Sequence, residues 1–334
     1  MNIARYNVSM KDYYLIALIS IITSFISFRV LACKPSPPAI INLDVNNYYT
    51  DKKFSIIDQT RKEKHDAAVK PIEIYIQFIS KQSDEYMQAP KSKKQAGSCA
   101  LKWIFDWASS SALTGEMKTE QAFYERKWML TGIALVYAKV REISTTDEKY
   151  KIENWLSKLV DLTIQHSELQ KSPRNNHYYW EGLAAGAVGK ITNQDKYINW
   201  ASKVFAFGMN EIQTDGSLPK EMNRGQRALH YHLFSAAPLV FLSSILNSNS
   251  PKLKLLVDFT FQALTDPSGI SKMSGVSQET EKDRDMAWLE IYLRRNPDIK
   301  IEKFLKPKRP LSYNKLGGNL TLVNPLECPA GYCK

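Results

Sequence analysis

Apolar residues recur at i, i+3, i+4 and i+7 over five long stretches of the chain, residues 57–83, 99–113, 119–140, 152–169 and 196–212, which is the spacing of one helix face. In the fourth stretch Ile152, Trp155, Leu156, Leu159, Val160 and Ile164 lie along a single stripe. Two more helices are expected near Ala184 and Leu239, and shorter ones near Leu255 and Trp288. Only residues 316–323, around Gly317-Gly318, alternate like a strand. Stretches of 15 to 27 residues with short connectors predict antiparallel helical hairpins, so the fold is expected to be mainly α, with the hairpins arranged around a groove.

The amino-terminal part reads differently. Arg5 and Lys11 precede an uncharged run over 14–28, and Val30-Leu31-Ala32 offers a cleavage site, so residues 1–32 are expected to be an export signal. Fifteen residues are short for a membrane span, and no other run looks apolar and long enough for one. Residues 34–47 form a Pro-rich extended lead-in, and Tyr48-Tyr49-Thr50-Asp51 a polar, aromatic loop. With no repeat and no interdomain linker, residues 33–334 are expected to form one domain.

Composition narrows the function. With 334 residues, 44% apolar and 24% charged, the chain can bury a sizeable core, and its few Gly and Pro exclude collagen-like architectures. Charge is 45 − 34 = +11; residues 1–32 carry +2 of it, which leaves 11 − 2 = +9 spread along the rest and points to a polyanionic partner. In an oxidising compartment Cys33, Cys99, Cys328 and Cys333 allow three disulfide pairings, with lipidation of Cys33 as a weaker alternative. No CxxC or Cys/His cluster suggests a zinc site.

Two segments stand apart from ordinary amphipathic helix. In Asn175-Asn176-His177-Tyr178-Tyr179-Trp180 an asparagine is placed to cap a small-residue helix, leaving His177 in its first turn. Amides at a helix start, together with an Asn side chain, suit a carboxylate. The plainer reading is a cap whose aromatics pack into the core. In the second segment, Asp215-Gly216 is a turn and a helix is expected to begin near Arg224. Seven residues at 100° each bring Arg224 and Tyr231 within about 20° of one face, and Arg227 joins them. His230 and His232 lie about 200° apart and cannot chelate one metal. Arg224 could equally pair with Glu221, and Tyr231 could be a core residue.

A cation, an amide, a histidine and a tyrosine are the parts needed for β-elimination on a uronic acid polymer. The C5 proton is only weakly acidic, so Arg and Asn must compensate the carboxylate while enolate-like charge develops. A Tyr or His removes the proton, and a Tyr hydroxyl protonates the departing oxygen. Arg224 or Arg227 is expected to lower the pKa of Tyr231. Neither a metal nor a cofactor is required.

The chain resembles the alginate lyases of the mannuronate-specific bacterial group, polysaccharide lyase family five. The resemblance lies in residues 175–180, in Asp215-Gly216 through Arg224 to Tyr231-His232, in Ser98-Cys99-Ala100-Leu101-Lys102-Trp103 with Trp107, in Ala287-Trp288-Leu289-Glu290 and in Leu316-Gly317-Gly318. It implies an incomplete (α/α) toroid with a deep groove and endolytic, cofactor-free cleavage of polymannuronate; with the export signal, the protein is expected to be a periplasmic monomer with no nucleic-acid partner and no stable membrane insertion. It implies that Asn176 and Arg224 neutralise the carboxylate and that His177 and Tyr231 are the acid/base groups, with Tyr231 the favoured proton carrier. Tyr48, Tyr49, Asn175, Tyr179, Trp180 and Arg227 are expected to bind substrate, the first two from a lid over residues 33–56. A Cys33–Cys99 disulfide is also implied, with the pairing of Cys328 and Cys333 left open. Leu233 and Phe234 stand where relatives often have Asn and Tyr, which leaves polyglucuronate or an acetylated mannuronan open as substrates. A non-catalytic polyuronate-binding protein is the other reading. A glycoside hydrolase would need two opposed carboxylates, and Glu181, Asp215 and Glu221 form no evident pair.

Overall fold

The computed structural model describes residues 33–169 and 173–325; the expected export signal and the two tail cysteines lie outside them. The compact body begins at Pro35. Its long helices are α1 (Gln59–Gln88), α2 (Lys94–Ser109), α3 (Glu120–Val140), α4 (Thr146–Leu169), α5 (Asn176–Thr192) and α6 (Asp195–Glu211). A short α7 (Pro219–Met222) follows, then α8 (Ala228–Ile245), α9 (Pro251–Thr265), α10 (Ser268–Ser274), α11 (Leu289–Arg295) and α12 (Ile299–Leu305). The fold is a mainly α toroid.

Two kinds of helix build it. Helices α1, α4 and α9 bury one stripe each and face solvent on the other, as the periodicity predicts. Helices α3, α5 and α8 are buried almost all round. Helix α3 packs on α1, α2, α4 and α5, and α5 packs on α4, α6 and α8. Helix α5 approaches α6 closely because a Cβ on Gly182 would stand 2.5 Å from Val204. The segment Gly225–Ile245 is in fact long and apolar enough to cross a membrane, contrary to the sequence reading; 78% of its window is buried inside the protein, which marks it as a core helix.

Element ends shift where local chemistry overrides periodicity. Helix α1 starts at Gln59 because the Asp58 carboxylate accepts from Arg61 N at 2.9 Å. Helix α2 begins five residues before Cys99 and stops at Ser109, since Ser111 and Leu113 adopt positive φ. The helical run begins near Arg224 as expected, but its first turn, Gly225–Arg227, is 3₁₀ with Gly225 at φ 58°, and α8 proper starts at Ala228. The expected strand over 316–323 shrinks to a two-residue pair, β1 (Ser312–Tyr313) against β2 (Gly318–Asn319), antiparallel with Ser312 opposite Asn319.

The tail forms so little ladder because a buried ion pair takes its backbone instead. Asp84 of α1 accepts from Asn319 N at 2.8 Å and pairs with Lys139 of α3, which also donates to the Gly317 carbonyl. The tail reaches α3 because Gly132 has no Cβ; one would stand 2.5 Å from the Asn314 carbonyl. Cys33 and Cys99 are joined in the expected disulfide, as suits an oxidising compartment.

The Lys139 side chain is wholly buried, so Lys139→Met should leave Asp84 uncompensated and cost about 3–5 kcal/mol. The double variant Lys139→Met/Asp84→Asn should recover part of that loss in chemical denaturation. Equal stability of Lys139→Met and wild type would contradict the anchoring role.

Candidate active site

Three inner helices and two loops converge on one cluster. Helix α5 opens with Asn175, whose Oδ1 caps the helix by accepting from His177 N at 3.1 Å, so the cap is Asn175 and both Asn176 and His177 lie in the first turn. Asn176 is fully buried. Its N and Nδ2 donate to Glu221 Oε1 at 3.0 and 3.1 Å. The same carboxylate lies 3.6 Å from Arg224 Nε. The ion pair between Arg224 and Glu221 is therefore real, and it also ties Arg224 to Asn176.

Arg224 joins the cluster from the loop ahead of α8, not from a helix. Its guanidinium carbon lies 4.5 Å from the Tyr231 ring centroid, and Arg227 lies 5.3 Å from the same ring. Tyr231 donates to Tyr49 Oη at 3.1 Å, Tyr49 donates to Tyr48 Oη at 3.4 Å, and Arg227 donates to Tyr49 Oη. Three hydroxyls thus form a chain that ends on the catalytic candidate.

The loop carrying these tyrosines is closed by its own carboxylate. Asp51 accepts from Lys53 N, Ser55 N, Ser55 Oγ and Ile56 N at 2.8 to 3.1 Å. Slight burial pushes its pKa up, but these bonds outweigh it and bring the value down to about 2. The tip, Phe54, takes φ 54° and stands 5.3 Å from the Arg224 guanidinium. Arg224 Nη1 donates to the Lys53 carbonyl at 3.1 Å and Gln226 to the Ser55 carbonyl at 3.0 Å. The loop therefore lies over the cluster, held by the guanidinium expected to meet a substrate carboxylate.

Ionisation follows burial more than neighbouring charge. Burial raises the pKa of Tyr231, and Arg227, the Tyr49 hydrogen bond and Arg224 offset this only in part, so the expected lowering does not occur. Burial, reinforced by Lys127, Arg224 and Lys315, holds His177 well below the ordinary histidine range. The resting site thus pairs a neutral imidazole with a protonated phenol. Asn176 Oδ1, His177 Nδ1, Arg224 Nε and Arg227 Nε are buried without a hydrogen-bond partner.

Two expected substrate contacts lie elsewhere. Tyr179 and Trp180 are 1% and 0% exposed, with Trp180 Nε1 donating to the Phe234 carbonyl. Trp180 packs on Phe234 of α8 and Tyr179 against Gly208 of α6, so both are sealed into the helix packing around α5. His232 is a packed histidine: Nε2 accepts from Leu218 N at 2.9 Å, Nδ1 bonds the Ala228 carbonyl, and burial lowers its pKa to about 4. His230 instead bonds Glu281 at 3.0 Å, and with Asp285 these form a group of possible metal ligands.

The sequence reading missed the α3 wall. Tyr124 stacks on His177 with centroids 3.7 Å apart, Trp128 lies behind it, and Lys315 sits 3.9 Å from the Trp128 ring. A signal was present: Glu125, Arg126 and Lys127 are three consecutive charges inside a largely apolar helix, and all three are buried.

An alginate lyase family model matches residues 42–268. A polysaccharide lyase of Stenotrophomonas maltophilia (strain K279a) is 33% identical over 303 residues, covering 87% of this chain and 90% of the relative. An alginate lyase of Pseudomonas syringae pv. syringae is 30% identical over 295 residues, covering 82% and 77%. Among solved structures, alginate lyase A1-III complexed with tetrasaccharide superposes with a TM-score of 0.76 at 20% identity, covering 86% and 84%. The same enzyme from Sphingomonas species A1 gives 0.69, also at 20% identity, covering 92% and 93%. The toroid of helices is therefore that of a polysaccharide lyase. The chain belongs to the alginate lyase family.

Glu221→Ala should free the Asn176 donors inside the protein and leave Arg224 without its buried partner, costing about 2–4 kcal/mol and lowering turnover through both groups. An unchanged melting temperature with full activity would contradict the bridging role of Glu221.

Proposed function

We propose that this protein cleaves mannuronate-rich alginate by β-elimination, leaving unsaturated uronate ends. The observation that carries the reading is the joint placement of Arg224 against Tyr231 and, through Glu221, against Asn176. Arg224 leaves the Lys53 carbonyl for the C5 carboxylate, and Asn176 turns one Nδ2 hydrogen from Glu221 to it, so negative charge is compensated as the C5–H bond weakens. Asn175, Tyr48, Tyr49 and Arg227 hold neighbouring sugars or the hydroxyl chain.

Tyr231 carries the proton. In mannuronate the C5 hydrogen and the departing O4 lie on the same face of the ring, so one phenolic oxygen can take the first and protonate the second. Tyr231 must first lose its own proton, and the neutral His177 is the acceptor of the site. The phenolate takes the C5 proton, the C4–O4 bond breaks as the C4–C5 double bond forms, and the phenol returns that proton to O4. Polyglucuronate, which differs from mannuronate at C2, presents the same arrangement. The second reading is a lyase for that polymer: Phe234 packs on Trp128 and Trp180, so this wall lacks polar groups that would select between the two. The two polymers are distinguished by rate. We assign residues 1–32 to an export signal, residues 33–334 to a single periplasmic domain, and the +9 charge to attraction of the polyanion.

The test is absorbance of unsaturated uronate on polymannuronate, polyguluronate and polyglucuronate. Polymannuronate should react fastest; no absorbance on any of the three would overturn the proposal in favour of a binding protein. Tyr231→Phe should fold normally and lose about 10²–10⁴ in turnover. Arg224→Ala should also raise KM, because the carboxylate loses its counter-charge. The acid limb of the kcat/KM profile should fall below the usual histidine range, since the lowered pKa keeps His177 neutral in mild acid. An acid limb above that range would contradict the assigned acceptor.

A further inference from the structure

A buried lysine behind the site is not used by the mechanism above. Lys127 of α3 is 2% exposed and donates to Glu181 Oε1 at 2.9 Å. Glu181 lies four residues after His177 on α5, one helical turn further on, and is equally buried. The Lys127 ammonium stands 4.6 Å from the Tyr124 ring centroid, and the other partner of that ring is His177 at 3.7 Å with planes 19° apart. A lysine hydrogen-bonded to one carboxylate among the described residues, deep between two inner helices, is expensive to bury. A packing role would be served as well by an apolar side chain.

The geometry points to the Lys127–Glu181 pair as a positioning element for the reaction: it braces the Tyr124 ring against His177 and fixes a positive charge behind the imidazole. The assignment rests on His177 being the proton acceptor. Glu181 holds the ammonium in place, and Tyr124 keeps it stacked behind the ring instead of bonded to Nδ1, which is left without a partner. The imidazole thus keeps its lone pair for a proton. The other charged or titratable groups around it are Arg224 from the loop before α8, Lys315 from the tail with its partner Glu125, Tyr124 itself, and Glu221 beside Asn176. Both Arg224 and Lys315 add to the positive side, so Lys127 is one of three cations opposing protonation of His177.

Removing one fixed cation should make His177 easier to protonate. The test is the pH profile of kcat/KM on polymannuronate for wild type, Lys127→Met, Lys127→Met/Glu181→Gln and His177→Gln, each checked for folding by its melting curve. The double variant removes both charges, so it remains informative if the single variant fails to fold. The acid limb should move to higher pH in Lys127→Met, and less far in the double variant because the Glu181 anion goes too, with kcat/KM on that limb in Lys127→Met falling about threefold or more relative to its plateau, while KM at the plateau stays near wild type. An acid limb that disappears in His177→Gln but is unmoved in both lysine variants would overturn the role of Lys127 alone. An acid limb that persists in His177→Gln would overturn the reading of His177 on which it rests.

Discussion

The Arg224 guanidinium is the point on which the site depends. Its Nε faces the buried Glu221 that holds Asn176, its Nη1 holds the Lys53 carbonyl of the covering loop, and its plane lies over the Tyr231 ring. One side chain therefore ties the start of α5, the loop over residues 48–58 and the start of α8. A planar group with five donors can serve several partners at once in a way an ammonium cannot. The glycine after it matters too: Gly225, at positive φ, lets the chain turn tightly into α8, so that Arg224 and Tyr231 meet although they do not share a helix.

Burial sets the protonation states that the chemistry starts from. Two arginines beside a tyrosine would lower its pKa in water, yet Tyr231 is pushed up, because desolvation of a phenolate outweighs two cations that are themselves shared with Glu221, Tyr49 and Glu279. The same burial acts in the opposite direction on His177, where nearby cations add to it. The two groups are thus driven toward neutrality together, and a substrate carboxylate is the charge that would rebalance the arginines.

Much of this was legible in the chain, and what was not has identifiable causes. The stripe from Ile152 to Ile164 lies on α4 because tertiary packing agrees with periodicity there. The approach of Arg224 to Tyr231 was found by counting helical degrees although the local structure is a 3₁₀ turn, since seven residues bring the two together by either route. Tyr179 and Trp180 differ from expectation because nearness to His177 in sequence says nothing of whether a neighbouring helix covers them. Tyr124, Lys127 and Lys315 went unseen because they reach His177 from helix α3 and from the tail. The tail strand failed because side chains 235 and 178 residues away, Asp84 and Lys139, satisfy its backbone.

The fold makes the cluster rigid where it must bind charge, with Asn176, Glu221 and His177 on or against inner helices, and leaves to a loop the task of covering it. The central claim is that the bond broken first is C5–H, with its electrons drawn toward a carboxylate compensated by Arg224 and Asn176. Single-turnover cleavage of polymannuronate deuterated at C5, followed by absorbance of the new double bond, tests it most directly. The account predicts a slower rate for the deuterated polymer; equal single-turnover rates would contradict it.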